Sequence, residues 1–278
     1  MSDNWIVENI QNALSKWSEY LDIVWTLLTT PPQDFRGGGI WSVILNIHSS
    51  IQAIALALLV LFFLVGVVKT CGSFAELKRP EVAVKLFIRF IIAKVLITHG
   101  LELMLALFSI VQGVITTIMR ASGVITSTGM AMPDEMVEKI EGLGFLASIP
   151  LWAVSLIICL LIWVLSFIVL LTVYGRFFKI YIFTAIAPIP LSTFAGEPSQ
   201  SVGVSFLRSY CAVLLEGAVI ILACVIFSLF AASPPVVDSS VSVVTQVWSY
   251  SGELILSMLI LVATVKMADR VIKEMMGL

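Results

Sequence analysis

The chain has 278 residues, 59% of them hydrophobic and 12% charged, with a net charge of −2 and a mean hydropathy of +1.06. A soluble domain carries roughly 25% charged residues, so this composition excludes an ordinary water-soluble fold. The small net charge also excludes steering of nucleic acid by the molecule as a whole.

Segments 37–68 and 142–175 contain no Asp, Glu, Lys or Arg. Each exceeds the ~20 apolar residues that cross a bilayer core of about 30 Å, so lipid is the solvent for most of the chain. An all-α, polytopic transmembrane bundle is the expected fold class. Polar residues left inside the apolar runs are then the first places to look for function.

Residues 4–29 read as an amphipathic helix. Ile6, Ile10, Ala13, Leu14, Trp17, Leu21, Val24, Trp25 and Leu28 recur at helical spacing, while Glu8, Lys16, Glu19 and Asp22 fill much of the other face. Such a helix suits the membrane surface or a partner helix, and region 1–36 is expected to be an interfacial N-terminal helix. The start of the chain lacks a basic n-region and brings Asp3 and Glu8 early, so insertion is expected to rely on internal spans. Pro31-Pro32 ends this helix, and Gly37-Gly38-Gly39 forms a flexible joint into a transmembrane domain, 37–278.

The first span is expected over 40–68, with His48 read as an interface residue beside Ser49 and Ser50. A basic loop with Lys69, Lys78 and Arg79 follows. The stretch 82–118 is too long for one perpendicular crossing. It divides into an interface-hugging lead-in, 82–94, whose Lys85, Arg89 and Lys94 snorkel, and a crossing at 95–118. A polar outer loop, 119–144, carries a short acidic helix at 133–141, where Pro133, Asp134 and Glu135 suit a helix start. The third span follows at 145–174, and further spans at 207–231 and 248–265 flank the loop 233–246. The cytoplasmic tail, 266–278, contains Asp269, Arg270, Lys273 and Glu274.

Segment 176–196 is apolar enough to cross but contains Pro188 and Pro190, which remove two backbone donors within one turn. Irregular backbone at membrane depth is tolerated only inside protein or beside a wet cavity. The positive-inside rule favours a segment that enters and returns, or lies along the inner face. A full crossing would instead put Lys266, Arg270 and Lys273 outside. The expectation is five full crossings plus one broken segment, with the N-terminus outside and the C-terminus inside.

No enzyme signature is present: His48 and His99 are the only histidines, and there is no GxSxG elbow, Walker-type loop or HExxH. No catalytic residue, cofactor or metal is expected. Cys71, Cys159, Cys211 and Cys224 form no CxxC or Cys/His cluster, so neither a zinc site nor a disulfide framework is supported.

The second crossing holds Lys94, His99 and Glu102. Positions 99 and 102 share a helix face, giving either a pore- or interface-facing polar cluster or a local His–Glu pair that satisfies itself. Glu216 has no charged neighbour in its own apolar run. It faces a channel, pairs with a cation on another span or stays protonated, and the cost of unpaired burial favours pairing or water. Glu253, beside Trp248 and Tyr250, belongs to an outer aromatic belt. Residues 174–181 form an aromatic–basic hinge, which either anchors the inner interface or makes a cytoplasmic mouth for a partner or anionic cargo.

This order of features resembles the TrbL-like (VirB-type) polytopic inner-membrane component of type IV secretion and conjugation systems. It runs from an outer amphipathic segment through two spans, a polar outer loop and a very long third span. An aromatic–basic turn at 174–181, the Ala187-Pro188-Ile189-Pro190 break, two more spans and an inner C-terminus complete it. The resemblance implies a homo-oligomeric ring in the cytoplasmic membrane of a bacterium. That ring would help pass single-stranded DNA with its attached relaxase, or protein cargo, alongside other secretion-system subunits and separate ATPases. A conduit for a polyanion needs an opening without strong cation grip. Lys78, Arg79, Lys85, Arg89, Arg176 and Lys179 would gather at the inner entrance, while Ala53, Ala57 and similar small residues pack between copies. Two other readings compete: a small-solute or ion transporter with a midplane site at the broken helix, and a scaffold that anchors soluble partners.

Overall fold

The computed structural model describes residues 5–70, 80–122, 132–142, 145–231 and 242–278, and every regular element among them is helical. The expectations for Cys71, Lys78 and Arg79, for 123–131 and 143–144 of the loop 119–144, and for 233–241 of the loop 233–246 lie outside the described residues. The helices are α1 (Trp5–Thr29), α2 (Gly39–Thr70), α3 (Pro80–Thr98), α4 (Gly100–Ala121), α5 (Asp134–Glu141), α6 (Phe145–Ile186), α7 (Pro188–Ser192), α8 (Gln200–Ala231) and α9 (Val243–Met275). Two 3₁₀ turns, Phe35–Gly38 and Thr193–Ala195, connect them.

Four stretches among the described residues are long and apolar enough to cross a membrane: Phe35–Lys69, Gly100–Ala121, Ser148–Ile186 and Gln200–Leu229. The expected crossing at 248–265 falls inside α9, which is not among these four. The second crossing also differs from the expected 95–118, because the helix is interrupted at His99 and the apolar stretch starts at Gly100. In α8, 67% of the most apolar window is buried, against 17% in the first span.

The third span and the start of the proline-containing segment are one helix. α6 has 42 residues, which at 1.5 Å per residue is roughly 63 Å, about twice a bilayer core. It therefore runs straight through the expected hinge at 174–181. Only at Ala187 does it stop.

Two compact units divide the chain. The first comprises Met1–Thr29, Ile115–Tyr174 and Gly217–Ala268. In it α1 buries Ile6, Val7, Ile10, Leu14, Trp17, Val24 and Leu28, all but Val7 among the positions its spacing marked, while Ala13, Leu21 and Trp25 are half-buried. Trp17 packs edge-on against Phe227, with ring centroids 5.8 Å apart. The Cys159 thiol donates to the Asn9 carbonyl at 3.2 Å. The apolar side of α1 thus meets protein helices, and α5 packs against it through an apolar face that buries Met136 and Ile140. Lys139 donates to the Gln246 side chain at 2.9 Å, tying α5 to α9. Ser155 and Ser166 donate to the carbonyls of Trp152 and Ile162 in their own helix, which lets hydroxyls sit in an apolar helix without an outside partner.

The second unit comprises Thr30–Val114, Gly175–Glu216 and Asp269–Leu278. It opens with a left-handed turn at Arg36, Gly37 and Gly38, all with positive φ. Two of those positions are glycines, which adopt that conformation without a Cβ penalty. Phe35 stacks on Phe177 at 4.2 Å, and the Tyr181 hydroxyl donates to the Pro32 carbonyl at 2.9 Å. α7 and the following 3₁₀ turn pack against both α2 and α3. The irregular backbone therefore sits within protein, as an apolar solvent requires.

Candidate functional site: a seated helix break and a buried charge network

Pro188 has no N–H, so the Thr184 carbonyl one turn earlier loses its helical donor. His48 replaces it: Nδ1 lies 2.7 Å from the Thr184 oxygen, and a carbonyl can only accept, so this nitrogen carries the proton. His48 is 5% exposed. It caps a broken helix inside the unit, where the sequence suggested an interface residue.

A second interruption lies at His99. The ladder of α3 ends with His99 donating to Val95, and that of α4 resumes with Leu103 donating to His99. The amide of Gln52 donates to the carbonyls of Ile97, at 3.0 Å, and Thr98, at 3.3 Å, just before the bend. Gln52 follows His48 by four residues, so the two share one face of α2. Farther along that face a Cβ on Gly66 would lie 3.0 Å from the Gly196 Cα, and one on Gly196 only 2.7 Å from the Phe62 carbonyl oxygen. Bare backbone on both sides permits this approach. Arg89 closes the seat from α3 with a 2.9 Å ion pair to Glu197.

The charged residues gather separately. Arg176, 1% exposed, donates through Nε to the Val213 carbonyl at 3.3 Å and through Nη2 to that of Leu214 at 3.1 Å. Lys179, one turn on, reaches Glu216 at 3.1 Å and Asp269 at 2.9 Å, and Lys273 also holds Asp269 at 2.9 Å. Glu216 is 2% exposed, so its charge depends on that lysine. Burial works to raise the Asp269 carboxyl, but the hydrogen bonds from Lys273 and Lys179 outweigh it and hold it below its ordinary value. α6, α8 and the end of α9 are thereby joined by opposite charges.

The structure treats the anticipated residues unequally. Glu216 meets Lys179. His99 and Glu102 pair at 3.1 Å, but both side chains are largely exposed, and the bend between α3 and α4 carries them. Lys94 and Lys85 are exposed. Arg89 is engaged by Glu197, and Arg176 is sealed against α8 main chain. Pro188 and Pro190 both lie in α7. Gln52 was overlooked, although an amide one turn from a histidine in a charge-free span was the available signal. Asp269 was noted only as a polar tail residue, and nothing in sequence linked it to Lys179.

An open groove of about 550 Å³ runs beside the break, lined by Phe183, Pro190, Ser201, Val202, Ser205, Phe206 and Ser209. Tyr210 donates to the Met104 carbonyl at 3.1 Å.

No curated protein and no solved structure matches the chain. A family model, described as TrbL/VirB6 plasmid conjugal transfer like protein, matches residues 19–188. That stretch runs from α1 to Pro188 at the helix break. It covers more than half of the chain, and the chain belongs to the TrbL/VirB6 plasmid conjugal transfer like family.

Proposed function

We propose that the chain is the membrane channel or scaffold subunit of a conjugative type IV secretion system. Assembled as a homo-oligomeric ring in the cytoplasmic membrane, it helps pass single-stranded DNA with its relaxase, or protein cargo, outward. The observation that carries this reading is the family match over 19–188, which falls on helices long and apolar enough to cross a bilayer. The family is a structural component of transfer systems and is not known for catalysis, so separate ATPases would supply energy. In this reading 248–265 crosses as well, the N-terminus is outside and the C-terminus inside. The exposed Lys85, with Lys78 and Arg79 of the adjacent basic loop, offers a diffuse positive entrance. The spans stay nearly uncharged, which suits a polyanion that must not be held.

Deleting the gene is expected to abolish DNA transfer while leaving relaxase nicking intact; transfer at the normal frequency without the gene would overturn the assignment. The transporter alternative draws on the broken helix. There, however, the carbonyl that Pro188 frees, that of Thr184, is already taken by His48. Substrate-dependent flux in proteoliposomes would reinstate it.

A further inference from the structure

Two interruptions far apart in sequence meet at one place. The break after Ile186 leaves the Thr184 carbonyl to His48, and the bend at His99 leaves the Ile97 and Thr98 carbonyls to Gln52. Both caps belong to one face of α2, a single turn apart. The interruptions also touch directly: a Cβ on Gly100, at the bend, would fall 2.8 Å from the Leu191 Cδ1 of α7. Each side of this triangle is an observed contact, from α2 to the break, from α2 to the bend and from the bend to α7.

We infer that the bend at His99–Gly100 and the break at Ala187–Pro188 are one joint, pinned by His48 and Gln52, so that neither half moves without the other. The chemistry favours coupling. A main-chain carbonyl in an apolar setting that loses its donor is costly to leave open, so the backbone must shift until it finds another. Shifting the break moves Leu191, whose side chain occupies the space left by Gly100. Shifting the bend withdraws that surface from Leu191. His48 and Gln52 are thus positioning residues for a composite element built from α2, the α3–α4 bend and α7. The inference stands independently of the transfer assignment, because it concerns how the fold is held and not what passes through it.

The test uses the full chain in native membranes, with native cysteines replaced except Cys224, which is buried. One reporter is Ser192→Cys, at a position 0% exposed in α7; the other is Ala93→Cys, also 0% exposed, in α3 before the bend. Labelling by a membrane-permeant maleimide is followed at each reporter. His48→Leu removes only the donor at the break, yet is expected to raise labelling at position 93 as well as 192. Gln52→Leu removes only the donor at the bend, yet is expected to raise labelling at both positions too. Rises of roughly five- to tenfold correspond to local opening after loss of a buried hydrogen bond. The double variant should add little to either single one, and His48→Gln, which keeps an N–H donor, should restore protection. If each substitution releases only its own reporter, or neither reporter responds, the joint is disproved. Exposure of Cys224 together with both reporters would mean general loosening and would overturn the inference as well.

Discussion

Glu216 shows what a single residue contributes here. It is fully buried in an apolar helix, and Lys179 is its counter-charge. Lys179→Met would leave that carboxylate unpaired. Breaking a buried pair costs about 3–5 kcal/mol, but Lys179 is partly exposed, so an expected loss of about 2 kcal/mol is more apt. Thermal denaturation in detergent measures it, and Lys179→Met combined with Glu216→Gln should recover most of the loss. Asp269 behaves differently. Its carboxyl is held below its ordinary value, so its contribution is fully present above the unfolded value near 3.9 and is lost as pH falls through the lowered one. The stability gap between the wild type and Asp269→Asn should therefore stay constant from neutrality down to about pH 5 and close only in stronger acid. A gap that closed near pH 7 would contradict the ion pairs with Lys179 and Lys273.

For the helices, glycines separate the two descriptions of α6. The sequence suggested a hinge at 174–181, whereas the helix continues unbroken to Ile186. A Cβ at Gly175 meets nothing within 4 Å. Gly175→Ala should therefore stabilise the protein by about 0.5–1 kcal/mol, since it removes backbone freedom from a helix interior at no steric cost. Gly196→Ala should do the opposite, because its Cβ would collide with the Phe62 carbonyl oxygen. A destabilisation of about 2 kcal/mol is expected from forced overpacking against main chain. The same melting measurement checks both variants, and a destabilising Gly175→Ala would contradict the unbroken helix through 174–181.

At the scale of the whole molecule, topology is the property to test. Single cysteines in the loop 233–246, in a chain lacking the native ones, should react with a membrane-impermeant maleimide added to the outer face and not to the cytoplasmic face. The reverse pattern would invert the proposed orientation. It would also place the tail that carries Lys266, Arg270 and Lys273 outside, against the charge rule for short loops.

Composition and periodicity alone determined that the protein lives in lipid, that it is helical, and that α1 has one apolar side. They also located the interruption near Pro188 and Pro190. These are local properties: twenty uncharged apolar residues, a repeat of 3.6 and a missing N–H each act within a few turns of chain. The resemblance to conjugal transfer proteins rested on the order of such features, and the family match carried it. Tertiary structure alone decided what fills each gap the sequence leaves. Proline states that the Thr184 carbonyl lacks a donor, but not that His48, 136 residues earlier, supplies one. Glu216 states that it needs a cation, but Arg208, the nearest in sequence, is passed over for Lys179 on another helix. The aromatic–basic stretch after Tyr174 reads as a hinge, yet it is helix, and Phe35, Trp41 and Pro32 packing on Phe177 and Tyr181 accompany that outcome. Partners that satisfy buried polar groups come from helices remote in the chain, and only folding brings those helices within a hydrogen bond of one another.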